Sequence, residues 1–174
     1  ALDRTIHDVN RMVANDASVS MDRPPLCVNF GPPRSGKTDC FILAILRAQR
    51  ECVTVYVTLT YPDLARSGTP ERCIIHRILH AALEPFQNAR VMRHVVFTEM
   101  LEELAPHRAS IEGATVHDAL DALRALWGHP PSTPMLLCVD DLHRLAGYGG
   151  ARCHLASEPC VEALRALGAC VDAG

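Results

Sequence analysis

Residues 31–38 (GPPRSGKT) place two glycines, a lysine and a threonine at the fixed spacing G-x-x-x-x-G-K-[ST]. This spacing is typical of a loop whose backbone N–H groups surround phosphate oxygens at the start of a helix. Gly31 and Gly36 suit such a loop because they adopt backbone angles that other residues disfavour. The motif also constrains its neighbours, since it joins a buried strand to a helix. We therefore expect a phosphate-binding loop here.

The flanking residues have the pattern that this loop requires. Residues 26–30 (LCVNF) predict a short buried strand, and residues 39–50 predict a helix. The Lys37 ammonium would contact the β- and γ-phosphates, the Thr38 hydroxyl would ligate Mg²⁺, and Asp39 would set the helix start. Arg34 would either touch a phosphate or project outward. The nucleotide-binding residues predicted from the motif are Gly31, Pro32, Pro33, Arg34, Ser35, Gly36, Lys37, Thr38 and Asp39.

An acidic pair, Asp140 and Asp141, is the second chemical signal. It ends the apolar run at residues 135–141 (MLLCVDD), which predicts a strand. In parallel α/β sheets the carboxyl ends of strands face the ligand-binding crevice. Combined with the loop, the pair predicts Thr38 and Asp140 as metal ligands. Asp141 would orient or deprotonate a water, and we predict it to be catalytic together with Lys37. Taken alone, an apolar strand ending in Asp is as typical of a capped loop.

The rest of the chain alternates helical and strand patterns. Leu2, Ile6, Val9 and Val13 predict a first helix, and residues 52–60 (CVTVYVTLT) predict a second buried strand. Residues 71–83 predict a helix that ends at Pro85, residues 88–107 are unevenly helical, and residues 115–127 carry a regular helical stripe. Alternating strands and helices favour an α/β fold.

Composition narrows the class of protein. The chain has 174 residues, 48% of them apolar, which suits one domain with a substantial core. A formal net charge of −3 gives no basic face that would by itself indicate nucleic-acid binding. We expect an intracellular protein with reduced cysteines and no membrane partner, because no apolar run approaches the roughly 20 residues of a bilayer span. An N-K-x-D sequence, which would specify guanine, is not present.

Four sequence blocks resemble the AAA+ ATPases of the origin recognition complex and the related replication-licensing ATPases. They are LDRTIHDV at residues 2–9, the loop at 31–38, VYVTLTYPDLARSGTPERCIIHRIL at 55–79 and MLLCVDDLHRL at 135–145. The chain departs from the family pattern at Thr58, where Asn is usual, at Asp141, where Glu is usual, and at His143, where an acid is usual.

The resemblance implies a three-layer α/β P-loop NTPase in which helices flank a central parallel sheet. It implies that Arg4 contributes to the nucleotide site, that the cofactors are ATP and Mg²⁺, and that the partners are other AAA+ subunits of a hetero-oligomer, with DNA contacted through the assembly in the nucleus. Asp141 is one methylene shorter than Glu, so we expect slow hydrolysis and a mainly structural role for ATP at subunit interfaces. Residues 1–174 would form a single but incomplete AAA+ core, with the next strand beginning near residues 166–174 and the lid and any winged helix following.

Two alternatives use the same loop. In one, a signal-transduction NTPase switch, nucleotide controls the oligomerisation of attached partner-recognition domains without DNA. In the other, nucleotide serves only to stabilise a degenerate domain. Co-purifying subunits would distinguish these from a replication ATPase.

Overall fold

The computed structural model describes residues 36–49, 52–107, 111–142, 144 and 158–173. The predicted first helix, the strand predicted at 26–30 and most of the phosphate-binding loop lie outside these ranges.

The sheet of the described residues consists of two parallel strands, β1 (Val53–Thr58) and β2 (Met135–Asp140). Val and Thr dominate β1, and β-branched side chains favour the extended backbone because they pack well on a pleated surface. Residues of the two strands pair in register from one end of β1 to the other, where Thr58 lies beside Asp140. The carboxyl ends of both strands therefore lie at one edge of the sheet.

Helices pack against both faces of this sheet. Helix α1 (Lys37–Ala48) packs through Ala44 and Ala48 beside Leu136. Alternate β1 residues, beginning with Val53, face the opposite way into the main core. The remaining elements are α2 (Tyr61–Ser67), α3 (Pro70–Asn88), α4 (Phe97–Leu104), a 3₁₀ turn (Ala105–His107), α5 (Val116–Leu126) and α6 (Glu158–Ala173).

Threonine hydroxyls define the starts of three helices. Thr60, Thr69 and Thr115 precede α2, α3 and α5, and each accepts a hydrogen bond from the backbone N–H three residues later, at 3.4, 3.2 and 3.2 Å. Such caps satisfy a backbone donor that the helix itself leaves unpaired. The short polar segments before these helices thus determine where each one begins.

An ion pair and a cation–π contact together join α2, α3 and α4. Asp63, which is buried, accepts hydrogen bonds from both Arg77 Nε, at 3.1 Å, and Arg77 Nη2. The Arg77 guanidinium also lies 3.9 Å from the centre of the Phe97 ring. Pairing and the cation–π contact compensate the cost of removing these charges from water. The cluster consequently fixes the three helices relative to one another.

The expected three-layer P-loop fold around a central parallel sheet is wrong. The described residues are mainly helical, and their sheet has only β1 and β2. Residues 166–174, where a further strand was expected to begin, belong to α6 up to Ala173. The reason is local: in α6, Cys160, Ala163 and Leu167 are buried at helical spacing, and the helix contains several Ala, Leu and Glu residues, which favour helix.

Pro85 does not end its helix as the sequence predicts. Helix α3 continues through it to Asn88, and the Pro85 carbonyl accepts a hydrogen bond from Ala89 N at 2.9 Å. A proline removes one intrahelical donor, but its neighbours still form the final turn. By contrast, the strand predicted at 52–60 and the helix predicted at 115–127 are confirmed as β1 and α5. Within the described ranges, no helix combines the length and apolar character needed to cross a membrane.

Ile78 should be essential to the stability of the core. Its side chain is 0% exposed, among β1, α3, α5 and α6. We expect Ile78→Ala to lower the free energy of unfolding by about 2–5 kcal/mol, because it removes apolar burial and leaves a cavity. Urea unfolding followed by circular dichroism measures this change. Leu126, 52% exposed on α5, provides the control, and Leu126→Ala should change stability by less than about 0.5 kcal/mol. Equal effects of the two variants would contradict this core.

Candidate functional site

A hydrogen bond connects the two motifs found in the sequence. Thr38, in the first turn of α1, donates from Oγ1 to Asp140 Oδ2 at 2.8 Å, although the residues are 102 positions apart. Thr38 is placed by the helix start and Asp140 by the carboxyl end of β2. The two predicted metal ligands therefore lie side by side.

The start of α1 has the backbone that the motif predicts. Gly36 precedes the helix with φ of 79°, in the left-handed region that favours glycine, and its carbonyl accepts from Cys40 N at 2.9 Å. Lys37 is the first helical residue and is half-buried, whereas Asp39 is exposed in the first turn. Asp39 therefore does not set the helix start as predicted, since the helix begins two residues earlier, but as an acid in the first turn it complements the helix dipole. The last three motif residues thus form a helix N-terminus beside Asp140.

The remaining predicted nucleotide-binding residues lie outside the described part of the chain. These are Arg4, Gly31, Pro32, Pro33, Arg34 and Ser35. Their roles stay predictions.

Asp140 is a buried carboxylate that accepts hydrogen bonds from three donors. It is 8% exposed. Besides Thr38, Tyr56 donates from its phenol to Oδ2 at 2.8 Å, and the backbone N–H of Asp141 donates to Oδ1 at 2.8 Å. Such donors compensate the cost of burying a charge and restrict the orientation of the carboxylate.

Tyr56 is the site residue that the sequence analysis did not identify. In β1 it lies two residues before Thr58, which pairs with Asp140, so the alternation of the strand places it on the same face as the acid. Burial raises the pKa of the Tyr56 phenol above its ordinary value; Thr58 lowers this pKa in part, and the hydrogen bond to Asp140 raises it again. The phenol is consequently protonated, and a donor, at neutral pH. Finding Tyr56 requires knowing that β1 pairs with β2, and in which register.

Asp141 adopts an unusual backbone conformation. Its φ is 59°, which is uncommon for a residue other than glycine, although Asp tolerates it better than most. Its carboxylate lies 2.9 Å from Arg144 Nε, and its carbonyl accepts from Arg144 N at 2.8 Å. The proposed water-orienting acid therefore sits directly after Asp140 but is engaged by an arginine.

Two side chains at this edge of the sheet, Thr38 and Asp140, carry oxygen atoms of the kind that can ligate Mg²⁺. Thr38 and Asp140 offer hydroxyl and carboxylate oxygens, the ligand type that Mg²⁺ prefers. In the described ranges, no group of three or more His, Cys, Asp or Glu side chains could hold a metal. Magnesium is commonly bound by one or two carboxylates together with substrate phosphates, so this donor set suits a metal that arrives with a nucleotide.

Comparisons with protein-family models, curated proteins and solved structures found no match to this chain.

Cys138 should be protected by the packing beneath the site. Burial raises its pKa to about 12, with smaller contributions from Cys52 and Asp140. At pH 8 the reactive thiolate should therefore be scarce and inaccessible, and iodoacetamide should modify native Cys138 far more slowly than the unfolded chain. Cys170, which is half-buried on α6, is the internal comparison and should react sooner. Peptide mass spectrometry measures both rates, and labelling of Cys138 as fast as Cys170 would contradict the packing described.

Proposed function

We propose that this chain binds Mg-ATP at a site formed by Lys37, Thr38 and Asp140, at the edge of the sheet where the strands end. The observation that carries the proposal is the 2.8 Å hydrogen bond from Thr38 to Asp140, because it joins the lysine-threonine end of the loop motif to the acidic strand end. Each residue then has a distinct task. Lys37 supplies positive charge to phosphate oxygens, while Thr38 and Asp140 hold the metal. Bound magnesium would neutralise phosphate charge.

The wider role that we propose is that of an ATP-binding subunit in a DNA replication initiation assembly, located in the nucleus. Its support is the resemblance of the four sequence blocks to origin-recognition ATPases. In this role ATP mainly stabilises contacts with neighbouring AAA+ subunits, and DNA is contacted through the assembly. A ligand that binds only the assembled form stabilises that form by mass action.

Slow hydrolysis is part of the proposal. Asp141 has a shorter side chain than the usual glutamate, and Arg144 engages its carboxylate. A general base must come within hydrogen-bond reach of the water that it activates, so this arrangement disfavours rapid turnover by the isolated chain. Phosphoryl transfer also needs a positively charged side chain beside the negatively charged phosphoryl group, and in the ATPases that this chain resembles a neighbouring subunit supplies it.

Asp140→Asn tests the site directly. We expect this variant to bind ATP roughly 10- to 100-fold more weakly in Mg²⁺, because it loses a charge-assisted interaction, and to be little changed in EDTA. Lys37→Ala should instead lose affinity in both conditions, since the lysine charge acts on the phosphates themselves. Calorimetry with and without Mg²⁺ measures both.

Asp121→Asn serves as the matched control, because Asp121 is an exposed acid on α5. It should bind ATP like the wild type. Failure of the wild-type chain to bind ATP, or equal losses for Asp140→Asn with and without Mg²⁺, would contradict the proposed site.

Turnover tests the proposed use of ATP. The isolated wild-type chain should hydrolyse ATP at about 10⁻³ s⁻¹ or less, the range of NTPases that lack an arginine supplied in trans. Asp141→Glu alone should raise this rate by less than roughly tenfold, because the charge clamp is still missing. Phosphate release measures the rate, with Lys37→Ala defining the background. Turnover above about 1 s⁻¹ by the isolated wild type would indicate an autonomous ATPase instead.

A further inference from the structure

Tyr56 lies beside the proposed metal site but belongs to neither sequence motif. It is carried by β1, whose other face forms the main core. Its phenol oxygen is 2.8 Å from Asp140 Oδ2, the same oxygen that accepts from Thr38. Tyr56 is thus a second O–H donor to this oxygen. It holds the carboxylate from the side of the sheet, whereas Thr38 holds it from the side of α1.

A bound ligand would affect these two hydrogen bonds to Asp140 differently. Thr38 lies at the helix N-terminus, and in the proposed site its oxygen also serves the metal. Tyr56 belongs to a strand that is paired with β2 and lies two residues before Thr58, the partner of Asp140. Tyrosine also has few rotatable bonds. Its hydrogen bond can therefore keep Asp140 oriented while Thr38 engages the ligand.

A buried carboxylate takes its orientation from the groups that donate hydrogen bonds to it. Asp140 is 8% exposed, so these donors hold it in place more strictly than they would a surface acid. Residues that orient metal ligands in this way commonly affect metal affinity by roughly 10- to 100-fold without touching the metal.

We propose that Tyr56 is a positioning residue that holds the Asp140 carboxylate for magnesium and so makes nucleotide binding depend on the metal. This inference rests on the proposed function, in which Asp140 is a metal ligand. It assigns to β1 a chemical role in addition to its place in the core.

Tyr56→Phe tests the inference, because it keeps the ring and removes the phenol oxygen. ATP affinity is measured by calorimetry in EDTA and across a magnesium titration, using the full chain. We expect the apparent Mg²⁺ affinity in the presence of ATP to fall by roughly 10- to 100-fold. Metal-free ATP affinity should stay within roughly twofold, since Tyr56 does not act on the phosphates in this scheme.

Thr54→Val is the matched control, because Thr54 lies on the same face of β1 one strand repeat earlier. It should leave both affinities unchanged. A double-mutant cycle adds a measurement that is independent of general stability: in the Asp140→Asn background, Tyr56→Phe should have little further effect on magnesium affinity, because it acts through that carboxylate.

The outcomes separate the two proposals. Wild-type binding of Mg-ATP with an unchanged magnesium dependence in Tyr56→Phe would overturn the role of Tyr56 and leave the nucleotide site intact. Equal losses with and without magnesium, or additive effects in the cycle, would assign Tyr56 a structural role and also overturn it. Absence of ATP binding by the wild type would overturn both proposals.

Discussion

The arrangement of this edge of the molecule depends on one buried charge. Asp140 ends β2 at 8% exposure, and a carboxylate in that position is tolerated only where donors surround it. The donors come from α1, from β1 and from the next backbone N–H. Strand pairing, helix placement and the turn after β2 are thus coupled through a single side chain.

Local patterns predicted the parts of this arrangement that depend on local physics. The β-branched run in β1 and the apolar stripe of α5 were recognisable because burial imposes a period of two or of about 3.6 residues. The proximity of Thr38 and Asp140 was predictable only because the loop motif specifies where such an acid belongs. Tyr56 carries no comparable signal, since its role depends on which residue of β2 lies beside it.

The errors also have physical causes. Pro85 was expected to end α3, but the preceding helix is held by core residues such as Ile74 and Ile78, and tertiary packing outweighed the local penalty. The segment that was expected to begin another strand instead belongs to α6, where it contributes Leu167 to the core. Expectations taken from a resemblance thus gave way where the residues themselves favour helix.

The left-handed backbone at Asp141 offers a structural reason why aspartate stands where the pattern that the sequence resembles has glutamate. Asp and Asn adopt this conformation more readily than most residues because their short polar side chains can hydrogen-bond to the nearby backbone, which a longer side chain does less easily. Any residue at this position must adopt the left-handed backbone of the turn before its side chain can act in catalysis. Aspartate is then better suited to this turn than glutamate, and lengthening the acid would add a modest backbone cost to any gain in reach.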